Sequence, residues 1–331
     1  PSCSATVARS SCVGVSCCMG LLSHSVRTGH LARRVGWMQC LATIGGTVHP
    51  ERDYSRYAGD VYTYGSLDEF AARNLPSGIH AISYGAGALE VWLVRRSSNA
   101  LVVAFHAAVD LSSATLPVFT GQKVTQDLDA SVLFVSDPSL ELGLSIGWFA
   151  GDRERPLQRD LVRVIEHVVE ELGVEVVVCQ GSSAGGFAAL YYSLQLPGSL
   201  AVAMNPQTNI MKYYQPRVRD YVDACWPGGA DDVTTDLVAA YSAATPNKVL
   251  YLQNRDDAFH LHHHFGPWAS RLRERYGVDW CAMPGDWGDG HAAPPSFVQS
   301  AVLEYALSFG GDWAALMCDD EFRFGLEALG A

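Results

Sequence analysis

The sequence predicts an α/β fold in which a mainly parallel central sheet is flanked by helices, with an N-terminal β extension. Two observations predict it. Short apolar runs of strand length alternate with helical patterns along most of the chain, as in folds whose parallel strands are joined by helical crossovers. One such run, residues 174–180, lies between an amphipathic helical pattern over 157–172 and a glycine-rich turn that leads into a helical pattern over 185–195. These segments form a βαβ-type unit.

Composition narrows the class of protein. The chain has 331 residues, 48% hydrophobic and 18% charged, enough for one large α/β domain with additions or for two domains. Its formal net charge is −12, so nucleic acid and anionic membrane surfaces are poor partners. No apolar run approaches the roughly 18–20 residues of a membrane span. The sequence leaves the oligomeric state open.

The first fifty residues differ from the rest of the chain. They contain four arginines, no Asp or Glu, and five of the nine cysteines. Such a start is compatible with a transit segment, but we favour a disordered or non-native extension over residues 1–50. Of the other cysteines, Cys179 and Cys281 lie in apolar strand-like runs. We therefore expect small core residues in a reducing compartment, and so a cytoplasmic protein.

The rest of the chain divides into three predicted parts. Residues 51–100 are expected to form a β-rich N-terminal part and residues 101–310 the main α/β domain, within which 209–246 is a possible cap. Residues 311–331 form a C-terminal tail that could add a helix. Residues 51–75 are polar and aromatic, and their pattern predicts little regular structure.

Individual elements follow from apolar runs and their breakers. The first two strands are expected to form an antiparallel hairpin, and the third, which is wholly apolar, to be central in the sheet. The predicted strands are 78–84, 88–94, 101–105, 130–135, 174–180, 200–204, 247–253 and 278–283. The predicted helices are 157–172, 185–195, 232–244, 261–276 and 296–309.

The turn after residues 174–180 carries the clearest chemical signal. Gly181-Ser182-Ser183-Ala184-Gly185 fits the G-x-S-x-G pattern of a nucleophile elbow, in which the glycines remove clashes in a strained strand-to-helix turn. The helix that follows would direct its N-terminal N–H groups at a developing oxyanion. Ser183 is therefore the candidate nucleophile.

A serine nucleophile needs a base, and the base needs an orienting acid. The predicted strand 247–253 is followed by Asp256 and Asp257, and the strand 278–283 by a glycine-rich loop that contains His291. With the elbow, this order of motifs resembles the α/β-hydrolase superfamily over about residues 78–310. The resemblance implies Ser183, Asp257 and His291 as a triad, with Asp256 as the alternative acid.

The resemblance also implies an oxyanion hole. One N–H would come from Ala184, and the other from Ala107 or Ala108 in the loop after the strand 101–105. The family's usual His-Gly is His106-Ala107 here. Possible substrate-binding residues are His106, Trp148, His260 and Trp287.

Four histidines occur within residues 260–264 and invite a metal interpretation. No H-E-x-x-H or cysteine pattern accompanies them, so we favour a helix packed beside the Asp257 loop and expect no metal. No P-loop or dinucleotide fingerprint is present, and we expect no cofactor.

Several short runs narrow the resemblance. Gly-Ser-Ser-Ala-Gly-Gly-Phe-Ala-Ala-Leu, Ser-Asp-Pro, Asn-Pro-Gln-Thr and Gln-Asn-x-x-Asp-x-x-His are similar to bacterial glycan-linked esterases and to the glycan O-acetyltransferases of accessory secretion systems. This implies a small or glycan-borne ester as substrate. Three functions follow: a carboxylesterase-type serine hydrolase, an O-acyltransferase or deacetylase of surface glycan, and a non-catalytic scaffold of the same fold.

Overall fold

A computed structural model describes residues 51–243 and 245–330 of the chain. The predicted extension at residues 1–50 lies outside the described residues. In the described part, nine strands form one sheet, and two very short strands form a separate parallel pair. The strands are β1 (Glu51–Arg52), β2 (Asp60–Tyr64), β3 (Gly78–Tyr84), β4 (Gly87–Val94), β5 (Ala100–Phe105), β6 (Thr115–Leu116), β7 (Ser131–Ser136), β8 (Val176–Ser182), β9 (Leu200–Met204), β10 (Lys248–Asn254) and β11 (Trp280–Gly285).

Helices connect most of these strands. A π-helical turn, Leu261–Phe265, joins two short helices into one longer helical segment. The helices are α1 (Leu67–Ala71), α2 (Gln122–Thr125), α3 (Leu157–Leu172), α4 (Ala184–Gln195), α5 (Gln215–Cys225), α6 (Leu237–Ala240), α7 (Ala258–His260), α8 (Gly266–Leu272), α9 (Ser296–Leu307), α10 (Trp313–Met317) and α11 (Gly325–Ala328). None of the helices described here combines the length and apolarity that a bilayer crossing requires.

The large sheet has the order β11-β10-β9-β8-β5-β7-β4-β3-β2. Neighbours from β11 through β7 are parallel, β4 is antiparallel to both of its neighbours, and β2 is parallel to β3. This confirms the predicted mainly parallel sheet and the hairpin of β3 and β4. Because parallel strands end at the same edge, the loops after β5, β8, β9, β10 and β11 meet there.

Hydrophobic clusters cover both faces of the sheet, because successive side chains of a strand point to opposite faces. Cys179 of β8 packs in the cluster that contains Leu161 and Ile165 of α3. Its neighbour Val178 packs in the cluster that contains Leu303 of α9. Covering both faces explains why the central strands are continuous apolar runs. Each such side chain contributes about 1.5–3 kcal/mol by leaving water.

Helix α3 shows how the sequence sets its own boundaries. Its apolar positions recur every three or four residues, and Leu161, Val164 and Ile165 are fully or almost fully buried. The helix ends because Gly173 adopts a left-handed conformation with φ 62°, in which its N–H bonds back to the carbonyls of the last turn. The predicted bounds 157–172 match the structure.

The prediction of little structure over residues 51–75 was wrong at β2. Its five residues are one Asp followed by Val, Tyr, Thr and Tyr, and four of the five are exposed or half-buried. An edge strand of this kind needs β-branched and aromatic residues but no continuous apolar run, so the apolar pattern misses it.

The predicted helix 232–244 was also wrong, since α6 covers only four residues of it. The β-branched Thr234 and Thr235 lie outside any helix or strand and bond to other segments. The Thr234 N–H donates to Gln158 Oε1 at 2.9 Å, and the Thr235 carbonyl accepts from the Ile210 N–H at 2.9 Å. Helix α6 begins only where the Asp236 carboxylate caps the Ala239 N–H.

Residues after β11 complete one core. Trp313, Leu316 and Met317 of α10 are buried against the face that α9 covers. The predicted tail therefore adds two short helices to the sheet. Cys179, Cys225 and Cys281 are free and buried, and Cys318 is free and exposed.

Candidate active site

Ser183 lies at the turn from β8 into α4 with strained backbone angles, φ 58° and ψ −116°. Crowding explains the glycines around it. A Cβ on Gly181 would lie 2.3 Å from the Gly185 carbonyl oxygen, and one on Gly185 would lie 2.5 Å from the Phe105 carbonyl oxygen. The strained residue is held from both sides, because its N–H donates to the Met204 carbonyl at 2.9 Å and its carbonyl accepts from Phe187 at 3.1 Å.

The loops that follow the next strands bring an acid and a histidine to the same edge of the sheet. Asp257 follows β10 and His291 follows β11, and the Asp257 carboxylate meets the His291 ring. A parallel sheet with an elbow serine, then an acid, then a histidine on its strand ends has one familiar architecture. The chain has the α/β-hydrolase fold.

Asp257 binds two histidines in this hydrolase fold. Its Oδ2 lies 2.5 Å from His291 Nδ1. Its Oδ1 accepts from the His260 backbone N–H at 3.1 Å and lies 3.0 Å from His260 Nδ1. The two imidazole rings stack with centroids 3.9 Å apart and planes 9° from parallel. One carboxylate thus orients both rings.

The surroundings of this cluster fix its charge. Burial alone would raise the pKa of Asp257, but hydrogen bonds from His260 and His291 outweigh burial and hold that pKa well below its usual range. Burial lowers the pKa of His260 despite the neighbouring carboxylate. At neutral pH the cluster therefore contains an ionised Asp257 and a neutral, buried His260.

Gln207 connects this cluster to Ser183. Its Nε2 donates to Ser183 Oγ at 2.8 Å and to His260 Nε2 at 2.8 Å. Its Oε1 accepts from Trp148 Nε1 at 3.2 Å. Within the described part of the chain, Gln207 is the hydrogen-bond partner of the Ser183 hydroxyl, and no direct hydrogen bond joins that hydroxyl to His291. The structure brings Asp257 and His291 together and separates His291 from Ser183 by more than a hydrogen bond.

The network assigns the histidine tautomers. His260 must donate from Nδ1 to the ionised carboxylate, so its Nε2 accepts from Gln207. Protonating His260 would place an N–H against the Gln207 amide group, whose orientation is fixed by Trp148. His291 likewise donates from Nδ1, which leaves its Nε2 as the acceptor. His291 is 31% exposed at its side chain, whereas His260 is fully buried.

Trp148 fixes the side-chain amide of Gln207 by donating to its oxygen. Both Trp148 and Phe149 have left-handed backbone angles, with φ 54° and 53°. The buried Asp137 carboxylate holds this strained turn by accepting from the Phe149 N–H at 2.8 Å. Trp148, predicted as a possible substrate contact, is 1% exposed and donates to Gln207.

The loop after β5 contains the predicted oxyanion donors. His106 is buried, and its Nδ1 donates to the Ala107 carbonyl at 2.7 Å while its Nε2 accepts from the Asp137 N–H at 3.0 Å. Burial lowers the pKa of His106, which suits this neutral tautomer. His106 therefore orients the peptide between Ala107 and Ala108. Ala184 begins α4, so its N–H lies outside the helix's own bonds.

Two buried asparagines hold the loop that carries His291. Asn205 Nδ2 donates to the Ala292 carbonyl at 2.7 Å, and Asn205 Oδ1 accepts from the Asn254 N–H at 2.7 Å. Asn254 Nδ2 donates to the carbonyls of Gly288 and Gly290 at 2.7 and 2.8 Å. We call these two residues the asparagine pair.

Sequence reasoning missed Gln207 and the asparagine pair as candidate site residues. The available signal was their position, because each lies at or just after a strand end on the edge that carries Ser183. A neutral amide gives no charge pattern, so the signals were that position and the short runs Asn-Pro-Gln-Thr and Gln-Asn-x-x-Asp-x-x-His that contain these residues.

The remaining predicted site residues lie elsewhere. Asp256 is exposed and makes no hydrogen bond to any described residue. The Trp287 ring covers Gly285, so that a Cβ there would lie 2.1 Å from Trp287 Cε2. It packs against the core on the α9 side of the sheet.

Asp257, His260 and His291 have ligand-type atoms within 4.8 Å of one another, a spacing that could hold a metal ion. Both Nδ1 atoms, however, already bond the carboxylate. The contacts are those of a hydrogen-bonded cluster, whose N–H groups a metal would have to displace.

A cleft of about 510 Å³ opens beside the oxyanion loop. It is lined by Ala108, Ser145, Tyr213 and Arg217, among others. Tyr213 also faces the ring of His260, with centroids 6.1 Å apart. The cleft thus extends from the predicted oxyanion loop toward the histidine cluster.

Comparison with known proteins gave only structural matches. No family model matches the chain, and no curated protein matches it. The capsule O-acetyltransferase of Neisseria meningitidis serogroup A matches with 14% identity and a TM-score of 0.48 over 72% of this chain and 94% of that chain. The Staphylococcus aureus serine hydrolase FphF matches with 11% identity and a TM-score of 0.47 over 74% and 100%. At these values neither match bears on activity.

Proposed function

We propose that this protein is a serine hydrolase of the carboxylesterase type, which cleaves an acyl ester through Ser183, His291 and Asp257. The observation that carries the proposal is the 2.5 Å contact between Asp257 and His291 at the strand edge that bears the strained serine. An ionised acid on one ring nitrogen is what a neutral histidine needs to act as a base from the other.

In the proposed reaction, His291 Nε2 removes the Ser183 hydroxyl proton as Oγ attacks the acyl carbonyl. The bond from Gln207 reaches Oγ as a donor, so the hydroxyl keeps its own proton for the base. The carbonyl oxygen becomes an oxyanion held by the N–H of Ala184 and of Ala107 or Ala108, each contributing on the order of 3 kcal/mol.

Collapse of the tetrahedral intermediate expels the alcohol, which takes its proton from His291. Water then attacks the acyl-enzyme with His291 again as the base, releasing the carboxylic acid and restoring Ser183. Asp257 stays ionised throughout and stabilises the transient imidazolium. His260 contributes by holding one carboxylate oxygen and by orienting Gln207.

Acyl transfer to a sugar hydroxyl would use the same steps with an acceptor in place of water. The resemblance to glycan O-acetyltransferases keeps this alternative in view, and product analysis separates the two reactions. Incubation with an acetyl donor and a sugar acceptor would give acetylated sugar in transfer and free acetate in hydrolysis.

The decisive experiment is labelling with a fluorophosphonate probe. Wild type and Ser182→Ala should be labelled, and Ser183→Ala should not, because only Ser183 lies at the elbow. The labelled wild type should also lose activity on a panel of short-chain 4-nitrophenyl esters. Well-folded wild type that neither labels nor turns over any ester would refute the enzyme and favour the scaffold function.

A further inference from the structure

A second cavity of about 350 Å³ lies next to the elbow, between the ends of β5 and β8 and the helices α2 and α9. Its lining includes Ala107 and Ser182, which border the proposed oxyanion hole and the nucleophile. The histidines of the active site do not line it. The reactions proposed above leave this cavity unused.

Gln180 is the most informative residue of this cavity. It belongs to β8, is 4% exposed, and makes no hydrogen bond through its side chain to any described residue. Its amide atoms are not sealed from solvent, because the fully buried side-chain polar atoms that lack a partner in the described part of the chain belong to other residues, such as Asn247 and Gln253. Gly121 lies against it, and a Cβ there would lie 3.2 Å from Gln180 Nε2. The amide therefore lies in the cavity wall, available to a ligand.

Charge indicates what that ligand is. Lys123 lies at the rim, is exposed, and forms no ion pair with the described residues. The lining adds the hydroxyls of Thr120, Ser182 and Ser296. None of the residues that line the cavity is an Asp or a Glu, although residues 51–331 contain 35 acidic and 19 basic residues. On an acidic protein, this cavity is a place where an anion meets donors without a nearby carboxylate.

We propose that the cavity binds an anionic group of the substrate, a carboxylate or a phosphate, through Gln180 and Lys123. The role of the cavity as a substrate subsite rests on the proposed function. Binding of the anion does not depend on catalysis. The cavity shares Ala107 with the predicted oxyanion hole, so the anionic group would lie close to the reacting acyl group. The preferred ester would then belong to an acidic sugar or a sugar phosphate.

Calorimetric titration with three sugars of one ring tests the proposal: glucose, glucuronate and glucose 6-phosphate. Wild type and Ser183→Ala should bind at least one anionic sugar and bind glucose at least about tenfold more weakly, because hydrogen bonds to charged groups are the stronger kind. Preference for glucuronate identifies a carboxylate subsite, and preference for glucose 6-phosphate a phosphate subsite.

Two variants locate the binding. Lys123→Glu should weaken it at least about tenfold by opposing the anion's charge, and Gln180→Met should weaken it while keeping the length of the side chain. Arg219→Glu makes the same charge change at an exposed residue of α5 outside the cavity and should leave binding unchanged. If Gln180→Met does not fold, the comparison of anion binding by Lys123→Glu and Arg219→Glu still tests the proposal.

Equal binding of the three sugars, no binding, or equal loss in Lys123→Glu and Arg219→Glu would overturn the proposal. Failure of the proposed function has a different signature. A protein that binds the anionic sugar but resists fluorophosphonate would keep the subsite and lose the hydrolase.

Discussion

Replacing Asp257 with Asn should abolish catalysis in either orientation of the new amide. The carboxylate accepts three N–H groups, from the His291 ring, the His260 ring and the His260 backbone. If the Asn NH₂ faces His291, that ring must move its proton to Nε2, the atom proposed to accept from serine. If it faces His260, that ring must turn an N–H against the Gln207 amide, and α7 loses its cap.

The expected loss is about 10⁴-fold in kcat, or about 5–6 kcal/mol of transition-state stabilisation, as for an Asp-to-Asn change that imposes the wrong tautomer in a serine triad. Stability should fall by about 1–3 kcal/mol, because a buried donor is left without an acceptor. The loss of transition-state stabilisation should exceed the loss of folding stability, because the imidazolium that Asp257 stabilises forms only in the transition state.

The assay is hydrolysis of 4-nitrophenyl acetate together with the rate of fluorophosphonate labelling, and urea unfolding measures stability. Asp256→Asn is the matched control, since it removes the same charge from the exposed neighbouring residue and should change kcat less than about twofold. If a folded Asp257→Asn keeps more than a tenth of wild-type activity, or if Asp256→Asn loses as much, the assignment of the acid is wrong.

Three further predictions concern the support of the site. Gln207→Leu should slow labelling and lower the free energy of unfolding by about 2–4 kcal/mol, because three buried partners, Ser183, His260 and Trp148, lose hydrogen bonds; unchanged labelling would remove Gln207 from the site. Gly185→Ala should abolish activity, since its Cβ would lie 2.5 Å from a backbone oxygen, whereas Gly198→Ala, with no atom within 4 Å, should cost only the strain of its positive φ, about 1–2 kcal/mol; equal activity in the two variants would contradict the steric reasoning. Burial lowers the pKa of His80 to about 4 and of His264 to about 3, so both stay neutral in the folded protein while the unfolded chain binds protons below about pH 6.5. Stability measured by urea unfolding should therefore be constant between about pH 7 and 8 and fall as the pH drops from 6.5 to 5, by up to about 1.4 kcal/mol per pH unit for each histidine, and a flat profile over this range would show that these residues are not buried neutral.

The sequence predicted the parts of the fold that local chemistry determines. The strand 78–84, the helix 157–172 and the strand 200–204 have the predicted bounds, because continuous burial and helical amphipathicity leave a periodic pattern. Segments fixed by single hydrogen bonds were missed. Thr234 and Thr235 are held by bonds to distant backbone and side-chain groups, and no periodicity records such contacts.

The site divides in the same way. Ser183, Asp257 and His291 follow recognisable strand and turn patterns, so their meeting at one edge could be expected from chain order. The role of Gln207 could not, because it depends on two side chains distant in sequence that converge on one amide. Four neighbouring histidines looked like one feature. In the structure, His260 bonds to Asp257, whereas His264 accepts a hydrogen bond from the Thr208 backbone N–H.

The asparagine pair has a consequence for how the site could change. It grips backbone carbonyls of the 288–292 loop, which every amino acid possesses, and no side chain of that loop takes part in those bonds. Side chains such as those of Asp289 and Ala292 are thus released from the task of positioning His291. Substitutions at those positions would change the surface of this loop while His291 keeps its place. The strand ends hold this loop through its backbone, so the sequence of the loop can vary without moving it.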